Sequence, residues 1–398
     1  MSVSERFDRR LLERHKPLYR LDSQETYGML AALSMTDNPG NSLIRADGAV
    51  VAESDELSLG TLEAYPRGRS QGGDQLAHAD GRFEDATEME LGLRGARFPD
   101  RVYARVLEDA EHTWLQYWSW HYHNPKRILG IGEHEGDWEL VQIALAGGRA
   151  REVTFAQHDG GEARAWESVE RTDRGRRPLV FVAPFSHAAY FEAGTQAYGF
   201  RFLADNPDGG GPQVNPRLAR FGDWAAWPGR WGRTRSIPGV PGGTGPRSPG
   251  RQSVRWEDPA RFHREARKRR DREERLGWRL GRFTYPRDPL GLEAVEAREG
   301  LIRVRYELPW FRSGSRLLIT AHDPDRSGTR LIGREWIKWP GRTRIAEVPL
   351  VAMPRGETIV VRASAFNAID QRSNCVETRA TIRDGRVMHR RRRLRRCG

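Results

Sequence analysis

The chain has 398 residues, 37% hydrophobic and 30% charged, with a formal net charge of +12 and a mean hydropathy of −0.73. This composition supports a sizeable core, and with no run of about 18 consecutive apolar residues it excludes a helical membrane span. The charge is uneven: seven arginines fall in the ending RVMHRRRRLRRCG, so without them the body carries 12 − 7 = +5.

The length exceeds that of most single domains, so two are expected. In chain order, Phe7, Leu11 and Leu12 have helical spacing and stop before Pro17, which predicts a short amphipathic helix within residues 4–16. Residues 49–79 are polar and turn-rich, with GRSQGG as a clear loop. Residues 102–122, 138–146, 152–157 and 179–183 alternate or run apolar between Gly, Asn and Pro breaks and read as strands. Residues 206–257 are Pro/Gly punctuation, but Trp224, Trp227 and Trp231 interrupt them, which predicts a loop pinned across the first domain. Asp258 and Pro259 suit the N-cap and first turn of a basic helix that leads through a linker to residue 286.

From 287 to 385, short alternating segments such as LIRVRYELP and ETIVVRASAFN recur between turn residues and predict an antiparallel sandwich. Residues 386–398 read as a disordered Arg-rich tail with weak contact to a polyanion. The two cysteines, Cys375 and Cys397, imply no disulfide framework and fit a reducing compartment. The N-terminus lacks the apolar run of a secretory signal, so a soluble cytoplasmic protein is the expectation.

Chemistry concentrates at strand ends. In GIGEHEGDWELVQIAL (130–145), strand alternation puts Asp137, Glu139, Val141, Ile143 and Leu145 on one face and Trp138, Leu140, Gln142 and Ala144 on the other. Two carboxylates thus extend an apolar face and need a partner, either a divalent cation helped by His134 or an arginine. In TWLQYWSWHYHN (113–124) one face carries Trp118 and Trp120 and the other ends in His121 and His123. QHDGGE adds His158, and PFSHAAYFEAG adds His187 and Tyr190. Oxygen ligands with one imidazole suit Mg²⁺, Mn²⁺ or Ca²⁺.

The blocks HTWLQYWSWHYHNPK, GIGEHEGDWELVQIAL, FAQHDGGEARAWESVER, RPLVFVAPFSHAAYFEAG and WPGRWG, with the opening RHKPLYRLDSQETY, resemble the vacuolar protein sorting-associated protein 62 family, in a bacterial-type member, over roughly residues 11–260. His134, Asp137 and Glu139 also match the spacing of the GHRHDWE heptapeptide of necrosis- and ethylene-inducing peptide-like proteins, in which His, Asp and Glu hold a divalent cation on a β-sandwich. That heptapeptide's second histidine is replaced here by Gly136. The segment VRASAFNAIDQRSNCVETRATI resembles the last two strands of fibronectin type III domains.

The resulting expectation is a mainly β protein. A sandwich-like domain with peripheral helices and long loops spans 1–257, the basic helix and linker 258–286, and a fibronectin- or Ig-like sandwich 287–385. The expected site holds a divalent cation on His134, Asp137 and Glu139, with Trp118, Trp120, His121, His123, His158, His187 and Tyr190 around an anionic or polyhydroxyl ligand. A metal-dependent hydrolase with Glu135 or His158 as base is the enzymatic alternative, and a polyanion binder working through the basic helix and tail is the other.

Overall fold

The computed structural model describes residues 4–25, 28–53, 55–65, 73–78, 98–125, 132–158, 160–194, 196–197, 204–233, 244–276, 286–298, 300–310, 314–325, 328–367, 372–383, 386–388 and 394–397. The protein is mainly β. Six strands, β1 (Ser4–Arg6), β2 (Arg101–Glu108), β3 (Thr113–Asn124), β4 (His134–Ala146), β5 (Arg149–Gln157) and β6 (Gly160–Ala165), hydrogen-bond in that order as an antiparallel sheet. Helix α1 (Arg9–His15) follows β1, its first turn capped by the Asp8 carboxylate, which accepts from Leu11 N at 3.0 Å.

Both faces of this sheet are covered, so its central strands bury residues of either parity. One face packs Leu115, Tyr117, Val141, Ile143 and Leu145 against Val180 and Val182 of the strand Arg177–Val182. The other packs Trp118, Trp120, Trp138 and Leu140 against Trp224, Trp227 and Trp231. The three tryptophans of the Pro/Gly-rich stretch are therefore core residues, and Trp231 lies on a two-residue strand, Arg230–Trp231, beside Gln75–His78. Between the turns of residues 49–79 lie strands Val50–Ala52 and Gln75–His78 and a helix, Leu59–Ala64, closed by a Ser58–Thr61 capping box. Most of GRSQGG lies outside the described residues. Helix α2 (Pro259–Leu276) starts where expected, with Arg261 N donating to Asp258 Oδ1 at 2.8 Å, and buries Phe262 and Ala266.

The C-terminal part has its own core. Strands β7 (Gly291–Arg298), β8 (Leu301–Glu307) and β11 (Thr343–Pro349) form one sheet. The facing sheet runs β10 (Gly328–Lys338), β9 (Arg316–Asp325), β12 (Thr358–Phe366), β13 (Val376–Arg383) and β14 (Arg386–Met388). Ile302, Val304, Leu317, Ile319, Val348, Val361 and Ala363 meet between them.

Two expectations are corrected here. The tail is not simply disordered: Arg386–Met388 is β14, and β15 (Arg395–Arg396) pairs with Val376 and Glu377 of β13. That return places Cys397 beside Cys375, and the two form a disulfide. Spacing alone could not show the fold-back, because 22 residues of chain can close on themselves or not. The bond also removes the cysteine argument for a reducing compartment.

The two parts meet through Phe185, Leu318 and Phe366, with the edge of Trp336 against them, and through a buried ion pair between Asp22 and Arg372. No helix among the described residues is long and apolar enough to cross a membrane.

Candidate functional site

Antiparallel register on β3 and β4 places Ser119 opposite Glu139, His121 opposite Asp137, His123 opposite Glu135 and Asn124 opposite His134. From Asp137 onward the strand alternates as read from sequence, with Asp137 and Glu139 on the face of Val141. Before it, the alternation resets at Gly136, whose φ is +73°. A methyl group there would stand 2.1 Å from the Trp231 carbonyl oxygen and 2.4 Å from Cη2 of Trp120, so both the angle and the close approach require glycine.

The reset sends Glu135 to the opposite side of the sheet. Its carboxylate accepts from His78 N at 3.2 Å and Arg233 N at 2.9 Å, stitching the covering strands to β4. Burial pushes its pKa up. Glu135 is thus a structural acceptor away from Asp137 and Glu139.

Asp137 Oδ2 accepts from Asn124 Nδ2 at 2.9 Å and lies 3.2 Å from His187 Nδ1. Burial pushes the carboxyl up, but the His187 hydrogen bond, the nearby His134 ring and Asn124 outweigh it, so the group is held below the usual carboxylate range. His187 sits in left-handed backbone (φ +56°) and stacks on His121 with centroids 4.0 Å apart and planes 12° apart. Its Nε2 is 3.9 Å from Glu25 Oε1, and Glu25 Oε2 accepts from Phe185 N at 3.1 Å. His134 at the rim points Nδ1 at the Gly136 carbonyl, 2.8 Å away; with that nitrogen as donor, Nε2 keeps its lone pair.

Glu139 is only 6% exposed, and its Oε2 has no hydrogen-bond partner among the described residues. Burial pushes its pKa well up, the charges of Asp137 and Asp205 add to that, and Arg255 opposes them. No ion pair joins Asp137 or Glu139 to an arginine among the described residues, although Arg255 is near enough to Glu139 to be felt electrostatically.

Next to this pair, His158 Nε2 is 2.9 Å from Asp205 Oδ2, which also accepts from the Tyr190 hydroxyl at 2.8 Å. Arg255 fastens the backbone here by donating to the carbonyl oxygens of His158 and Gly160. A cavity of about 560 Å³ opens alongside, lined by His158, Ser253, Arg255, Phe262 and Glu265 among others.

Of the residues singled out from sequence, the structure therefore gathers Asp137, Glu139, His121 and His187, with His134 at the rim and His158 and Tyr190 beside them. His123 is buried one step along β3, 3.2 Å from Glu133, and burial lowers its pKa to about 4. Trp118 and Trp120 do not join the site. They point to the other face of β3 and are fully buried, Trp120 against Trp138 and Trp231, so they build core and offer a ligand no stacking wall. Sequence reasoning missed Glu25, Asn124, Asp205 and Arg255. Asn124 was within reach, since it ends the histidine strand. The other three come from distant segments with no local pattern. Among the described residues, no group of three or more His, Cys, Asp or Glu side chains is gathered closely enough to hold a metal ion.

The fold and this arrangement define a β protein with a buried carboxylate–histidine site at the end of a covered antiparallel sheet. The family model for vacuolar protein sorting-associated protein 62 matches residues 126–204, a block that holds His134, Asp137, Glu139, His158, His187 and Tyr190. The chain is also similar to vacuolar protein sorting-associated protein 62 of Saccharomyces cerevisiae (strain ATCC 204508 / S288c), 26% identical over 238 residues. The aligned region is 51% of this chain and 50% of that protein, so the chain spans about half the length of the curated relative it matches.

Proposed function

We propose that the first domain is a binding module in which Asp137 and Glu139 hold a divalent cation, Mg²⁺, Mn²⁺ or Ca²⁺, and that the cation recruits an anionic or polyhydroxyl ligand. The supporting observation is Glu139: a buried carboxylate oxygen without a hydrogen-bond partner among the described residues, beside a second carboxylate, is costly unless a cation or proton joins it. Two protein carboxylates suffice for this reading, because hard cations such as Mg²⁺ keep several waters and take further oxygens from an anionic ligand. His134 Nε2 is the rim nitrogen able to assist, and the neighbouring cavity supplies volume for the ligand.

The test is elemental analysis of dialysed wild type, Asp137→Asn and Glu135→Gln, followed by melting with and without chelator. Stoichiometric metal in wild type and Glu135→Gln but not in Asp137→Asn supports the reading. Wild type without metal, and with a melting temperature indifferent to chelator and added cation, refutes it.

A second reading, a metal-dependent hydrolase on the same site, is favoured by the His158–Asp205 pair, since a carboxylate-oriented imidazole at a cavity wall is a fitting general base. Turnover of a phosphodiester and glycoside panel, lost in His158→Gln, separates it from binding alone. For the C-terminal sandwich, its β7-β8-β11 and β10-β9-β12-β13 sheets support a fibronectin type III-like module.

A further inference from the structure

The C-terminal sandwich carries two large apolar side chains that no described residue covers. Trp310 is 85% exposed and Trp339 is 78% exposed, far more than the other described tryptophans, most of which are core. They lie 29 positions apart in sequence but at one end of the sandwich. Leu308 N donates to Arg342 O at 2.7 Å, and Trp339 N donates to Ser315 O at 2.8 Å, so the segment leaving β8 and the turn between β10 and β11 run side by side. Trp339 also has a φ of +50°. A bulky residue in left-handed backbone is uncommon and costs energy, and here that conformation sets an indole outward on a turn tip. Lys338, Arg342 and Arg344 stand exposed around it, while the nearest strand-end acid, Glu307, is half-buried.

We infer that this end of the sandwich is a docking surface for an anionic lipid membrane, with Trp310 and Trp339 entering the headgroup layer and Lys338, Arg342 and Arg344 facing the lipid charge. The chemistry fits that partner in two independent ways. Indoles on projecting tips, outside any groove, match a layer that accepts one apolar and one polar edge of the same ring. Flanking cations gain from the negative surface potential of such a layer, each by about 1 kcal/mol, or about fivefold in affinity. A glycan platform would instead set carboxylates or amides beside the rings, and the described exposed neighbours are cations.

The test uses the full chain and co-sedimentation with vesicles of phosphatidylcholine alone or mixed with phosphatidylserine. The wild type should sediment with the mixed vesicles, less so at higher ionic strength. Trp310→Ser/Trp339→Ser should weaken that binding by about tenfold for each indole, and Lys338→Ser/Arg342→Ser by about fivefold for each cation. Because all four side chains are exposed, the melting temperature should stay unchanged and fold loss is separable. The inference is overturned if the tryptophan variant sediments like wild type, since basic segments elsewhere then carry the binding. It is equally overturned if wild type binds neither vesicle, including the case where gel filtration shows self-association that the tryptophan variant abolishes, or if wild type binds both vesicles alike.

Discussion

Replacing Arg372 with Met tests whether the two parts of the chain are held by charge buried between them. The Arg372 guanidinium is bidentate on Asp22, at 2.5 Å and 2.9 Å, lies 3.5 Å from Asp208 and donates to the Asn206 carbonyl at 2.9 Å. Neither Asp22 nor Arg372 has appreciable solvent access. Burial already pushes the Asp22 pKa up to about 7, with Arg372 the main force holding it down. Without the arginine, Asp22 must either stay charged in a buried site or take up a proton, and removing one partner of such a pair costs about 3–5 kcal/mol. Asp22→Asn in the same background removes the ionisable group and with it that cost. Asp22 also accepts from Gln24 N and Asp208 N, each at 2.9 Å, and an Asn amide serves one of these and faces the other with a donor. The double variant should therefore remain about 1–2 kcal/mol below wild type, the cost of one spoiled hydrogen bond and an altered contact. Equilibrium unfolding in urea at neutral pH, followed by fluorescence and by calorimetry, measures all three proteins; the single variant should also split into two transitions as the parts uncouple. A single variant within about 1 kcal/mol of wild type, or a double variant no better than the single, refutes the reasoning.

Three further outcomes are expected. Gly136→Ala should destabilise by about 3 kcal/mol or more in denaturant melts, because the new methyl group meets the Trp231 carbonyl and Trp120 in left-handed backbone. Cys397→Ser, or reduction of the wild type, should lower the stability of the C-terminal sandwich by about 3 kcal/mol, the loop-closure value for its sequence separation of 22; an isolated fragment from 286 to 397 should melt cooperatively only if it keeps that cysteine. Burial depresses the His15 pKa below 6.5, against the opposing Arg176 carbonyl. Above that pH the ring is neutral whether folded or unfolded, and as pH falls through 6.5 the unfolded chain takes the proton first, so wild-type stability drops. His15→Gln should flatten this loss in melts recorded between about pH 7 and pH 5.

What was legible in the sequence was what repeats at short range. The alternation Asp137, Glu139, Val141, Ile143, Leu145 set the face of β4, because a strand has a period of two and one face opens on a core. The helix start at Asp258 and Pro259 and the three tryptophans pinning the Pro/Gly stretch were legible for the same reason, each being a local signal with a steric or burial cause. Two failures share one origin. Trp118 and Trp120 were placed on the opposite face from His121 and His123, correctly, and yet were assigned to the same ligand; a sheet covered on both sides keeps those faces apart, and sequence alone does not say that both are covered. Glu135, the candidate base of the hydrolase alternative, sits on the other face from Asp137, because one glycine at positive φ turns the strand over. Asp205, Glu25 and Arg255 reach the site from distant segments and carry no periodic signal at all.

The same long-range contacts tie the site to the second part of the chain. Glu25, which faces His187, lies in the segment 22–25. That segment is clamped three times: Arg372 grips Asp22, Arg362 Nη1 donates to the Ser23 carbonyl at 2.5 Å, and Asp208 accepts from Ser23 N at 2.8 Å. Phe185, which donates its N–H to Glu25, packs its ring on Phe366 and Trp336 of the sandwich, two residues from His187. The His187 ring therefore gets its position from Asp137 on one side and from an interface of the sandwich on the other. One wall of the site is thus set by contacts with the C-terminal sandwich, and close-packed contacts change between discrete arrangements and do not stretch. The Asp22–Arg372 clamp and the seat of His187 are thus parts of one contact network. Loosening the clamp should therefore loosen the seat of His187 as well.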